Sequence, residues 1–328
     1  MSEVVFIKDK YQENLSNVLN KFNMERFKAQ KVLVKIHVGE VGNSRYVDPK
    51  LAKIVIDKLK EVGAEPFLFD TLVLYPGPRT LKITHKLLAK KHGFTNLGCE
   101  FVVGDKGEEV EVEGFKFEIP KEVLDVEHMV VLSHGKGHGG SGFGGAIKNV
   151  GMGCVSKKCK RKVHSEISVP VADSEKCILC GICEGVCEQK AIKVTDVWKV
   201  TAGLCVGCGE CFKACPQKAI DYKEESLNHM LAYASKAATN HMKEILYVNV
   251  LLKISKNCDC APDSPIISDD VGILVSDDML AIDKASIDLI EEKMEKTFED
   301  IHQVDPMDQV RTGERINIGS SDYSISEV

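Results

Sequence analysis

The segment from Cys177 to Ile220 repeats itself with a period of 28 residues. Cys177-Ile-Leu-Cys180-Gly-Ile-Cys183-Glu-Gly-Val-Cys187-Glu-Gln-Lys-Ala-Ile192 returns as Cys205-Val-Gly-Cys208-Gly-Glu-Cys211-Phe-Lys-Ala-Cys215-Pro-Gln-Lys-Ala-Ile220. Each half carries four cysteines in the spacing C-x2-C-x2-C-x3-C, and eight thiols held this close demand either cross-linking or metal. The chain has 13 cysteines in all. An odd count, with no apolar signal stretch behind the mixed start Met1 to Lys10, argues against a secreted disulfide scaffold. Reduced thiols in a cytoplasm, many of them on metal, are the expectation.

The spacing suits a 4Fe-4S cubane. Three thiolates at successive x2 intervals wrap one loop around the cube, while the fourth leaves on a short helix and ligates the other cluster. That crossing assigns Cys177, Cys180, Cys183 and Cys215 to one cluster, and Cys205, Cys208, Cys211 and Cys187 to the second. Gly181 and Gly209 occupy matching places and permit the tight loop. Zinc also uses C-x2-C, but two equivalent four-cysteine runs without histidine favour iron and sulfide. Residues 169–223 resemble a two-cluster bacterial-type ferredoxin domain, which implies two 4Fe-4S clusters and single-electron relay. One departure is Glu188, where that pattern carries proline.

A ferredoxin accounts for a small part of 328 residues. The remainder alternates between strand-like and helix-like patterns: a buried strand over Val32 to Val38, a helix opened by Asp48-Pro49 and stopped by Gly63, a strand over Pro66 to Asp70, a helix over Thr80 to His92 and a strand over Phe101 to Val103. A hairpin is expected from Val110 to Ile119 around Glu113-Gly114, then a strand from His128 to Ser133. Beyond the cysteines come a helix over Ser226 to Thr239, strands over Ile245 to Ile254 and Val271 to Ser276, and a helix over Met279 to Phe298 whose cap is Asp277 or Asp278. The tail from Glu299 has weak pattern. The fold class expected is α/β: a mixed, largely parallel sheet domain in two parts, 1–168 and 224–328, interrupted by a small α+β ferredoxin-like insertion at 169–223. Forty-three Lys plus Arg against 49 Asp plus Glu give a net charge of −6, which disfavours a nucleic-acid-binding face. No apolar run approaches the ~18 residues of a membrane span.

Seven of the eleven residues from Gly135 to Gly145 are glycine. The stretch follows a strand end, where open α/β sheets place ligand sites, so Gly135, Gly137, Gly139, Gly140 and Gly142 are expected in a ligand loop with exposed amides. Overlapping G-x-G-x-x-G matches arise from glycine density alone, and no clear helix follows in register. His134, His138, Lys148 and Asn149 surround this loop as candidate catalytic groups, since imidazole moves protons and lysine holds anions. Five cysteines lie outside the repeats. Cys258-Asp259-Cys260 is a loop triplet poorly explained by packing, so Asp259 joins the catalytic candidates and Cys258 and Cys260 form a candidate third metal site. Cys154 and Cys159 sit beside Lys157, Lys158, Lys160, Arg161 and Lys162, whose charge would favour thiolates. Cys99 is expected to be structural.

Asp70-Thr71 with Tyr75-Pro-Gly77-Pro-Arg79, Lys148-Asn149-Val-Gly151-Met152-Gly153, Cys258-Asp259-Cys260, and Gly272-Ile-Leu-Val-Ser276-Asp277 with Ala281-Ile-Asp283 together resemble the domain of unknown function numbered 362, over most of residues 30 to 295. That family often appears joined to a ferredoxin module. The resemblance implies an uncharacterised iron-sulfur protein with a larger α/β domain and names no reaction. The leading expectation is a redox protein whose two clusters exchange electrons with a site in the α/β domain, served by a redox partner protein or a small-molecule donor or acceptor. The alternatives are a carrier that only docks a partner, and a metal- or anion-handling enzyme with structural or sensory clusters.

Overall fold

The computed structural model describes residues 1–205, 207–261 and 263–328. Its centre is one eight-stranded sheet: β1 (Ser2–Ile7), β2 (Lys31–Lys35), β3 (Glu65–Thr71), β4 (Phe101–Gly104), β5 (His128–His134), β6 (Glu244–Leu251), β7 (Gly272–Ser276) and β8 (Tyr323–Glu327). The spatial order is β8-β1-β7-β6-β5-β2-β3-β4. Five of the seven pairings are parallel, and only β7 runs antiparallel to its neighbours β1 and β6. This is the mixed, largely parallel α/β sheet expected.

Side-chain alternation makes it a three-layer structure. Val32 and Val34 of β2 face one apolar layer, which includes Leu15, Leu19, Leu51 and Val55 of the helices Tyr11–Lys21 and Pro49–Glu61. Leu33 faces the other, formed by the helices Ala146–Gly153, Leu227–Thr239 and Met279–Met294. Both faces are covered, as parallel strands require.

Several boundaries differ from the sequence reading. The chain leaves the sheet after Lys35 rather than at Val38, and that departure turns His37 into the crevice described below. The helix after Pro78–Thr80 runs over Lys82–Lys91. Met279 to Phe298 is not one helix: Glu295 adopts a left-handed φ of 54° and ends the first, and Phe298–His302 is a second. Asp278 supplies the N-cap, accepting from the amides of Leu280 and Ala281. The weakly patterned tail holds a helix, Asp308–Arg315, and strand β8, which closes the sheet edge beside β1. Among the described residues no helix is long and apolar enough to cross a membrane.

The cysteine segment has its own small architecture. Pro170–Ala172 pairs with Ile220–Tyr222, and Ile192–Val194 with Trp198–Val200. The short helices Ile182–Gly185 and Glu210–Ala214 start after Gly181 and Gly209, whose φ values of 76° and 80° favour glycine. Cys183, Ile192, Cys211 and Ile220 form an apolar cluster separate from the two that flank the sheet.

Strand order locates the crevice. β2 leads through a helix to β3 on one side, whereas β5, which leads to β6, lies on the other. Between the carboxyl ends of β2 and β5 the connections part, and ligands of open α/β sheets bind in that gap.

Candidate functional site

Two concavities open in the cysteine segment. One is lined by Cys177, Cys180, Cys183 and Cys215, the other by Cys187, Cys205, Cys208 and Cys211. Each therefore draws three cysteines from one repeat and one from the other. Donors point at the sulfurs: the amides of Ala191 and Ala219, at equivalent positions in the two repeats, lie 3.3 Å from Cys187 Sγ and Cys215 Sγ, and Trp198 Nε1 donates to Cys183 Sγ at 3.3 Å. All thirteen cysteines are free of disulfides. Among the described residues no group of three or more His, Cys, Asp or Glu is arranged to hold a metal ion. A lone ion gathers its ligands on one point, while a cubane spreads four sulfurs over separate corners.

At the carboxyl ends of β2 and β3 lies a buried ion cluster. Lys35 Nζ sits 3.2 Å and Arg79 Nη2 2.7 Å from the two oxygens of Asp70, and all three side chains are buried. Arg79 also donates to His85 Nε2 at 3.3 Å, Tyr75 Oη at 3.0 Å and His37 Nε2 at 2.6 Å. Burial opposes charge on Asp70, but Lys35 and Arg79, with His85, outweigh it and hold the carboxyl well below the usual range. Burial and then the Arg79 charge pull His37 down to about 4, so this ring is neutral at pH 7.

The Cys258-Asp259-Cys260 loop closes over this cluster. Buried Asp259 lies 2.8 Å from His134 Nδ1 and 3.1 Å from Lys136 Nζ. Asn43 Nδ2 donates to the Asp259 carbonyl at 3.0 Å and holds the loop from below. Cys260 Sγ is 3.8 Å from His37 Nε2. The two thiols interact, which raises Cys258 and, with His37 and Lys148 acting against burial, lowers Cys260.

The sequence candidates fall into two groups here. His134 is engaged at both nitrogens, the second 2.8 Å from the Leu252 carbonyl, and positions Asp259. Asn149 accepts from Lys35 Nζ at 2.8 Å and donates to the Leu132 carbonyl and Ser133 Oγ, tying β2 to β5. Lys148, its neighbour, has no ion-pair or hydrogen-bond partner among the described residues. His138 Nδ1 accepts from the amides of Gly140 and Ser141. Its ring is partly exposed; desolvation first, and then the charges of Lys148, His164, His302 and Lys136, hold it well below the usual imidazole range.

The glycine stretch is not the open loop expected. Lys136–His138 and Gly142–Gly144 pair as a buried ribbon, and the helix that the sequence did not reveal, Ala146–Gly153, follows directly. That helix N-terminus is not free for a phosphate, because Asp283 accepts from the amides of Ala146 and Ile147 at 2.7 and 2.9 Å. The five glycines meet protein atoms. A Cβ at Gly135 would fall 2.3 Å from Leu251, at Gly137 2.2 Å from the Lys256 carbonyl, and at Gly142 2.7 Å from the Val304 carbonyl. At Gly139 it would lie 3.6 Å from the Cys208 carbonyl, and at Gly140 2.6 Å from that of Gly207. The ribbon therefore packs directly on the Cys205–Cys211 loop.

The basic run near Cys159 was expected to favour thiolates. Burial wins instead, pushing Cys154 up to about 12 and Cys159 up to about 11. That region also carries Lys160 and His164, four residues apart where the helix Lys157–Lys162 widens into a π-helical turn. Lys35, His37 and His85 had not been singled out. Their one signal was a lone charge closing an apolar strand, Val32-Leu-Val-Lys35, matched by Phe67-Leu-Phe-Asp70.

Among solved structures the chain is similar to the lactate racemase apoprotein from Thermoanaerobacterium thermosaccharolyticum, with 16% identity, a TM-score of 0.40, and coverage of 75% of this chain and 50% of that one. It is also similar to a protein from Thermotoga maritima, with 13% identity, a TM-score of 0.42, and coverage of 89% and 58%. The chain thus spans little more than half the length of these structures. No curated protein matches it. Residues 32–288 match a family described as Domain of unknown function (DUF362), and by this match, over far more than half its length, the chain belongs to the DUF362 family.

Proposed function

We propose that this protein is an iron-sulfur redox protein in which two 4Fe-4S clusters relay single electrons to or from the crevice at the carboxyl ends of β2 and β5. The observation that carries the proposal is the crossed lining of the two concavities, four cysteines each. Each cluster, when bound, would supply a one-electron couple. The chain's own residues give the relay its direction. The concavity of Cys177, Cys180, Cys183 and Cys215 is lined in part by exposed Ile178 and Leu179, open to a redox partner protein or a small donor or acceptor. The Cys205–Cys211 loop instead rests on Gly139 and Gly140, and His164 Nδ1 would meet a Cβ at Gly207 within 2.6 Å. The second set therefore backs onto the ribbon of Lys136–His138 and Gly142–Gly144 that follows β5.

Spectroelectrochemical titration of the anaerobic protein tests this reading. Two one-electron waves are expected at low potential, of order −400 mV. A single two-electron wave, or none, overturns it.

A further inference from the structure

Among the cysteines outside the two concavities, one pair is built differently from the rest. Cys154 and Cys159 are buried, whereas Cys258 and Cys260 are half-buried and separated by a single residue. The Ala261 amide donates to the Cys258 carbonyl at 2.9 Å and closes a four-residue turn around them. Two residues of extended chain span about 7 Å between Cα atoms, at the edge of a disulfide's reach; a turn draws them inside the window of about 4.4–6.8 Å. The turn is held by the surrounding protein rather than by its thiols. Asn43 Nδ2 donates to the carbonyls of Asp259 and Ala261 at 3.0 and 3.3 Å, and the Asp259 carboxylate lies 2.8 Å from His134 Nδ1. Making or breaking a bond between the sulfurs therefore leaves the loop in place. The loop also approaches the second cysteine set. A Cβ at Gly139 would lie 3.6 Å from the Cys208 carbonyl and 3.9 Å from Asn257 Oδ1. Asn257 directly precedes Cys258, so a cysteine of that set and the start of the turn both meet this one glycine.

We propose that Cys258 and Cys260 form a reversible disulfide, which takes up in pairs the electrons that the relay carries singly. The inference rests on the proposed function and gives its electron path an end point. In the reductive step the S–S bond breaks as two electrons arrive one at a time from the low-potential one-electron couple of the relay. One proton comes from solvent, leaving one thiol and one thiolate; closing the bond returns the two electrons and the proton. Cys260 is the better leaving group of the two. Its sulfur lies 3.8 Å from His37 Nε2, which is itself 2.6 Å from the Arg79 guanidinium. A disulfide confined to so short a loop, and open to solvent, belongs to the labile class rather than the structural one.

Peptide mapping by mass spectrometry reads the pair without any assay of activity. Trypsin releases residues 257–284 as one peptide with no other cysteine. Anaerobic protein is treated with oxidised glutathione, its free thiols are blocked with N-ethylmaleimide, and this peptide is weighed. It is expected to be lighter by two hydrogens, with neither maleimide nor glutathione attached. In Cys258→Ser, where the pair cannot close, it carries one glutathione at Cys260. Reduced methyl viologen, a one-electron donor, then reopens the pair on the order of tenfold faster in the wild-type chain than in Cys187→Ala, which lacks a cysteine of the nearer set, whereas dithiothreitol reopens both at the same rate. Two maleimides or two glutathiones on the oxidised peptide, a disulfide to any other cysteine, or equal viologen rates in the two chains each overturn the inference. Cluster waves without closure of the pair remove this inference alone, and closure in protein that holds no clusters removes the relay alone.

Discussion

Replacing Cys215, a residue of the second repeat, is expected to abolish the cluster of the first. Cys215 lines the concavity of Cys177, Cys180 and Cys183, whereas Cys187 of the first repeat lines that of Cys205, Cys208 and Cys211. A cubane deprived of one of four thiolates loses iron or changes type. Each single variant, Cys215→Ala or Cys187→Ala, should therefore fall from about eight irons to about four. The chain's single tryptophan distinguishes them. Trp198 borders the first concavity and donates to Cys183 Sγ at 3.3 Å, so a cluster there would quench its fluorescence. Emission should rise in Cys215→Ala and stay low in Cys187→Ala. The opposite assignment would mean that each repeat holds its own cluster with all four of its cysteines.

The second large effect belongs to Asp70. Its carboxylate is the shared counter-charge of two buried cations, Lys35 and Arg79. Asp70→Asn leaves both unpaired, and breaking a buried pair in this way costs about 3–5 kcal/mol. Against a typical total of roughly 5–15 kcal/mol, that is enough to unfold much of the protein. Urea denaturation should show the midpoint collapse, and adding Lys35→Met should recover part of it, because one stranded charge has gone. An unchanged midpoint in the single variant would contradict this account of the cluster. The pH dependence has a definite sign. Asp70 binds its proton less readily folded than unfolded, so its stabilisation is complete above the unfolded value of about 3.9 and drains away as pH falls through the lower folded value.

The two halves of the site differ in how readable they were. The eight repeat cysteines stand out because their spacing is local: one loop supplies three of the four cysteines that line each concavity, and the repeat announces itself. The parallel sheet was legible where strands are apolar on both faces, as in Val32-Leu-Val and His128 to Ser133. β1 and β8 were missed because charged and polar residues dilute Ser2–Ile7 and Tyr323–Glu327, a strand of mostly exposed residues at the sheet edge. The crevice was only partly legible, because Lys35, His37, Asp70, Arg79 and the Cys258–Cys260 loop meet only after the crossovers bring distant strand ends together. Glycine density misled for a related reason. It looked like room for a ligand, but the space is taken by Leu251, Lys256, Val304 and the Cys205–Cys211 loop. Asp283 is the clearest case of non-local chemistry. It reads as an ordinary helical residue, yet it stoppers a helix more than a hundred residues away while bonded to Asn249 at 2.8 Å.

The central claim is that the crossed cysteine sets carry two cubanes. Iron and acid-labile sulfide, counted on anaerobically prepared protein with EPR of the dithionite-reduced state, test it most directly. The account predicts about eight of each per chain and the interacting signals of two reduced clusters; about four of each, or zinc in place of iron, would contradict it.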